Sequence, residues 1–183
     1  MPPPPAAPVT GAAAVPAIPL SRRLIRPVDW LNEALLVALA LALGALACLG
    51  FAQVVARYAF QQPLTWSEEV IRYALIWMVF LGIGVGVRKG MLASVEIVTQ
   101  MAPAPLARVL AWVVLLVSAV FWLVLLVYGI AILENVEGMN SGALEMPMSA
   151  VYLAVPVGAA LALLNTIVAA IDPPAPSLEG AIE

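Results

Sequence analysis

Glu68 and Glu69 stand side by side, with Arg72 one helical turn on, at the mouth of an apolar run that ends at Arg88-Lys89. Paired carboxylates beside a guanidinium suit general acid–base chemistry, an ion relay or a contact between subunits. The stretch Leu64-Thr65-Trp66-Ser67-Glu68-Glu69-Val70-Ile71-Arg72-Tyr73 reads as a helix start. Thr65 is the expected N-cap, and Glu68, three residues on, completes a capping box. Acids in a first turn also suit the positive end of the helix dipole. Glu68 to Arg72 is an i,i+4 step and Glu69 to Arg72 an i,i+3 step, so the three are expected on one face. Arg57 can join them across the preceding turn, and two acids with two bases make a neutral cluster. The ordinary reading is a self-capped helix start with snorkelling side chains. The sharper reading leaves Glu69 or Arg72 for a partner subunit. A proton or sodium relay is disfavoured, because the bases keep both carboxylates ionised and no other span carries a buried acid.

Composition narrows the chemistry further. The chain has 183 residues, 64% hydrophobic and 10% charged, against about 45–50% and 25% in soluble domains, which indicates a membrane protein. A net charge of −3 gives no reason to expect nucleic-acid binding. Cys48 is the single cysteine, so a disulfide within the chain and a cysteine-held cluster are excluded. There is no histidine, which removes the usual haem ligands, most zinc sites and the commonest acid–base catalyst. No catalytic residue, cofactor or metal is expected, and the chain reads as a non-enzyme.

The elements that must position the cluster are apolar spans. Residues 1–27 begin with a Pro/Ala-rich tail, expected to be disordered or partly polyproline II, and end in a basic collar of Arg22, Arg23 and Arg26. The membrane domain is expected over 28–171, and residues 172–183 form a second polar tail. The first span is expected from Trp30 to Ala56, with Gln53 the only strongly polar side chain after Ala34. That length suffices for ~30 Å of hydrocarbon, and Gly44, Ala45 and Ala47 offer a face for close packing. The second span, Trp66 to Val87, crosses only if its charged turn lies at the interface. Gly82-Ile83-Gly84-Val85-Gly86 superficially resembles a dinucleotide loop, but no strand or polar loop surrounds it. Gly82 and Gly86 read instead as a small-xxx-small helix contact.

Met91, Leu92, Val95, Val98 and Met101 share one helical side, which predicts a short amphipathic helix in the interface, ended by Pro103 and Pro105. The third span is expected from Leu106 to Leu133. Its aromatics Trp112, Phe121, Trp122 and Tyr128 read as packing or lipid-facing groups. A loop with Glu134, Glu137 and Glu145 and no base follows. The fourth span is expected from Met148 to Ile171, bent near Pro156 and Gly158, with Asn165 near its end placed to cap it or to hydrogen-bond a neighbouring helix. The fold class is therefore an all-α membrane protein: four transmembrane helices plus the interfacial helix.

Four spans put both tails on one side. Arg22, Arg23, Arg26, Arg88, Lys89 and Arg108 lie on that side and Arg57 on the other, so both termini are expected in the cytoplasm. The Glu68-Glu69 turn and the acidic loop then face outward.

Arg57-Tyr58-x-Phe60-x-x-Pro63-Leu64-x-Trp66-Ser67-Glu68-Glu69-x-x-Arg72-Tyr73, followed by Trp77, Phe80-Leu81-Gly82 and Arg88-Lys89-Gly90, resembles the small membrane subunit (DctQ-type) of tripartite ATP-independent periplasmic (TRAP) transporters. The resemblance covers roughly residues 28–171 and is most specific over 57–96. Met91 and Leu92 depart from it: relatives usually have a residue and then a histidine there, before an amphipathic segment, while Glu96 matches the acid that usually follows. The resemblance implies a four-span protein of the bacterial inner membrane, bound to a large multispan transport subunit and served by a periplasmic substrate-binding protein. It implies organic-acid uptake by symport, typically with sodium, the ion and substrate sites lying in the large subunit. The small subunit would then be a non-catalytic scaffold for the fixed part of an elevator. Arg57, Trp66, Glu68, Glu69, Arg72, Gly82 and Gly86 are the candidate interface and structural cluster. The competing readings are a self-sufficient small channel or exporter, and an intramembrane enzyme using Glu68 or Glu69 as base.

Overall fold

A computed structural model describes residues 22–62, 64–90 and 103–172. The described chain is all-helical: α1 Arg22–Ala59, α2 Thr65–Arg88, α3 Ala104–Asn135, α4 Met148–Tyr152 and α5 Ala154–Ile171. With α4 and α5 taken together as Met148–Ile171, four stretches are long and apolar enough to cross a membrane. The interfacial helix expected after Lys89 lies outside the described residues.

The spans fall where apolar runs put them, with longer ends. α1 has 38 residues, about 57 Å at ~1.5 Å per residue, well beyond the ~30 Å of hydrocarbon it must cross. It begins at Arg22 rather than Trp30, so Arg26 of the basic collar rides on the helix. Pro27 lies inside the helix, past the first four N–H groups, and so leaves the Arg23 carbonyl without its intrahelical donor.

The fourth span breaks at Leu153, between α4 and α5. Proline has no N–H to offer the carbonyl four residues back, and for Pro156 that carbonyl belongs to Tyr152, next to the break. The interruption lies about one turn ahead of the proline itself, and Leu153 keeps helical φ and ψ of −58° and −23°.

α5 is the centre of the packing. It lies against α2 on one side and α3 on the other, and α1 packs on α2, so the helices follow one another as α1, α2, α5, α3. Ala154, Gly158, Ala159 and Ala162 on α5 are buried, and such small residues let backbones approach where lipid offers no hydrophobic drive. A Cβ on Gly158 would sit 2.6 Å from Phe80 Cβ and 2.8 Å from the Phe80 carbonyl oxygen of α2. One on Gly129 of α3 would sit 3.1 Å from Pro156 Cδ. One on Gly84 of α2 would meet Leu161 Cδ2 at 2.8 Å.

The glycine contact within α2 therefore differs from the expected one. Cβ atoms at Gly82 and Gly86 would meet nothing within 4 Å, and neither would one at Gly44. The inward residue is Gly84. α2 is apolar almost all round, so its sequence carries little signal of which glycine stripe turns inward. On α3, Trp122 is buried while Trp112, Phe121 and Tyr128 are exposed, consistent with one packing aromatic among lipid-facing ones.

Candidate functional site

Polar groups gather at the two ends of the bundle. At the tail-side end, Arg88 closes α2 and reaches two other helices. Its Nε donates to Asp29 Oδ1 of α1 at 2.7 Å. Its Nη1 and Nη2 donate to the backbone oxygen and Oδ2 of Asp172, just past α5, at 2.8 and 3.0 Å. Lys89 Nζ donates to Glu33 Oε2 of α1 at 2.9 Å. The planar guanidinium suits such a fork because it presents several donors in fixed directions.

About one turn deeper lies a buried amide cluster. Asn32 and Asn165 are 2% and 0% exposed. Asn32 Nδ2 donates to Asn165 Oδ1 at 2.9 Å, and Asn165 Nδ2 returns a bond to Asn32 Oδ1 at 2.8 Å. Asn165 Nδ2 also donates to the Gly84 carbonyl at 2.7 Å, and Asn32 Nδ2 to the Val28 carbonyl at 2.8 Å. Both amides are thus satisfied where an unpaired one would be costly. The expectation that Asn165 bonds a neighbouring helix holds, with α1 and α2 both as its partners.

The outer end departs from the expected cluster. Leu64, not Thr65, precedes the first helical turn of α2, and no side chain caps it. Ser67, fully buried, donates from both N and Oγ to the Leu64 carbonyl, at 3.1 and 2.7 Å. Glu68 Oε1 accepts from Gln53 Nε2 of α1 at 2.8 Å, which draws its carboxylate sideways instead of back onto its own helix. Glu69 turns to the other side: Oε1 accepts from the Ala143 N–H at 3.0 Å and Oε2 from the Leu144 N–H at 3.1 Å.

Among the described residues the ion pairs all lie at the tail-side end, so neither acid pairs with Arg72 or Arg57. Both arginines are exposed, as is Trp66 at 44%. The structure therefore joins Glu68 to α1 and Glu69 to the loop after α3, and leaves Arg57, Trp66, Arg72, Gly82 and Gly86 uncovered within the chain. Sequence reasoning passed over Asp29, Asn32, Glu33 and Asp172. Their common placement on the tail side was the available signal.

The model of the DctQ component of tripartite ATP-independent periplasmic transporters matches residues 46–173, from the middle of α1 to just past α5. The chain belongs to the DctQ family. Among curated relatives, the C4-dicarboxylate TRAP transporter small permease protein DctQ of Vibrio cholerae is 32% identical over 85 residues, 46% of this chain and 37% of that protein. The protein of the same name from Rhodobacter capsulatus is 29% identical over 100 residues, 54% of this chain and 44% of the relative. The sialic acid TRAP transporter permease protein SiaT of Haemophilus influenzae is 31% identical over 80 residues, 44% of this chain but 12% of that protein. The matched stretches thus span well under half the length of each relative. DctQ membership and four apolar spans make this a multi-pass membrane protein.

Proposed function

We propose that this chain is the small permease subunit of a tripartite secondary transporter for organic-acid uptake in a bacterial inner membrane. It is non-catalytic and scaffolds a large multispan transport subunit. Both termini lie in the cytoplasm, so the Glu69 end faces the periplasm and helps to dock a soluble substrate-binding protein. Uptake is symport, with the ion and solute sites in the large subunit.

The observation that carries this reading is the open order of the helices. α1, α2, α5 and α3 follow one another without closing on themselves, and the polar side chains Asn32 and Asn165 are already bonded within the chain. Among the described residues the buried polar side chains Asn32, Ser67, Ser141, Asn165 and Thr166 do not line up through the bundle as a path. Large apolar side chains along α1, α2 and α3 stay exposed, among them Leu41, Phe51, Val79 and Leu116, surface that lipid or another subunit must cover. The names of the relatives support the substrate class, C4-dicarboxylates and sialic acid both being organic acids. In the sialic-acid relative the matched stretch is a small part of a much larger permease, which supports a large companion.

The test is uptake of a radiolabelled organic acid into proteoliposomes. Uptake should require this chain, a large permease subunit and a binding protein together. Flux through the purified chain alone would overturn the proposal. Cysteine labelling should reach the 134–147 loop from the periplasm, and labelling from the cytosol would overturn the orientation.

A further inference from the structure

The geometry points to Glu69 as the positioning residue of the outer surface: its carboxylate holds the loop between α3 and α4 in the place where a soluble partner meets it. The inference rests on the small-subunit reading above, which puts the binding protein on this side.

The loop is internally braced before it touches α2. Ser141 N donates to the Met146 carbonyl at 2.9 Å and Met148 N to the Met139 carbonyl at 2.8 Å. Met146 N also donates to Ser141 Oγ at 3.3 Å. Gly138 and Glu145 turn the chain with φ of 80° and 52°. A unit of this kind moves as one piece, so its position depends on what ties it down.

Packing ties the loop in part, with Ser141 buried and Leu144 half-buried. A cavity of about 340 Å³ lies between the loop and α2, lined among others by Val70, Tyr73, Trp77, Leu144, Met146 and Val151. Over this space the loop has few atoms to rest on, and an unfilled gap forfeits dispersion contacts. Tyr73 Oη and Trp77 Nε1 of α2 reach Met148 Sδ and the Ala150 carbonyl of α4, at 3.9 and 3.3 Å, but the polar tie from α2 to the tip of the loop is the pair of bonds from Ala143 and Leu144 to the two Glu69 oxygens. A carboxylate accepts from two N–H groups at once with charge assistance, whereas an amide offers one oxygen. Glu69 thereby fixes the height and tilt of a braced loop on which Met139 and Glu145 are exposed.

The experiment uses the full complex, in nanodiscs for hydrogen exchange and in proteoliposomes with added binding protein for uptake, comparing wild type, Glu69→Ala and Glu69→Gln. In Glu69→Ala, hydrogen exchange at Ala143 and Leu144 should accelerate roughly ten- to hundredfold, with exchange in α5 unchanged as the control for folding. The binding-protein concentration giving half-maximal uptake should rise severalfold, while maximal uptake and co-purification with the large subunit stay as in wild type. Glu69→Gln should fall between the two. Unchanged exchange at Ala143 and Leu144 would overturn the inference, as would faster exchange with an unchanged half-saturating concentration. Loss of co-purification would make Glu69 a subunit contact and overturn it equally. Wild-type uptake that ignores added binding protein would instead sink the subunit reading, and the exchange result would still decide whether Glu69 holds the loop.

Discussion

The side-chain amides of Asn32 and Asn165 donate to one another across the bundle, at 2.9 and 2.8 Å, and so join the first membrane helix to the last. Asn165 adds a third bond to the Gly84 carbonyl of α2. Three helices therefore share one buried polar point, and a buried pair of this type fixes register more surely than it adds stability.

Removing one partner strands the other. Asn32→Leu should lower resistance to denaturant by about 1–3 kcal/mol, the cost of leaving a buried amide unpaired. Replacing both asparagines by Leu should cost less than the two single changes added together. Unfolding of the purified chain in mixed micelles measures this, and strict additivity would mean that the two amides act independently.

The glycines make a sharper comparison. Gly158→Leu should separate α5 from α2, because even a Cβ there meets the Phe80 backbone, and overpacking of this kind costs about 1–3 kcal/mol. Gly82→Ala and Gly86→Ala should leave the isolated chain as stable as wild type, since those positions face open space. If the uncovered stripe is the seat of the large subunit, Gly82→Leu should reduce co-purification while thermal unfolding of the chain alone is unchanged.

Arg88 should resist conservative replacement. Its side chain is 10% exposed, and its partners Asp29 and Asp172 are 50% and 45% exposed. Arg88→Gln should destabilise by roughly 1–3 kcal/mol, since hydrogen bonds to charged groups are lost from a largely covered site. Lys should recover only part of this, because an ammonium cannot span three acceptors in a fixed fork. Lys89→Ala should shift stability by under about 1 kcal/mol, its partner Glu33 being 65% exposed. Chemical denaturation at low and high salt would check the order.

The span boundaries were legible because hydropathy is local and additive along a helix. The interruption ahead of Pro156 followed from a missing N–H, a property of the residue alone. What the sequence concealed depends on rotation and on backbone donors. Gly82, Gly84 and Gly86 look alike in the sequence, and only the packing of α5 selects Gly84. The acceptor geometry at Glu69 needed the N–H groups of Ala143 and Leu144, which no side-chain pattern announces. The expected Glu68–Arg72 pair was reasonable for an isolated helix, but Gln53 on α1 reached Glu68 from the side. Asp29 and Asp172 were visible as charges near span ends, yet nothing local revealed that one arginine would collect both.

The turns of α1 ahead of Asp29 run on past the layer where Arg88 makes its ion pairs. They carry a buried Ile25 and an exposed Arg26. A guanidinium at that level would pair with the phosphates of the nearby leaflet, so the anionic lipid content of that leaflet becomes a handle on how far this helix leans.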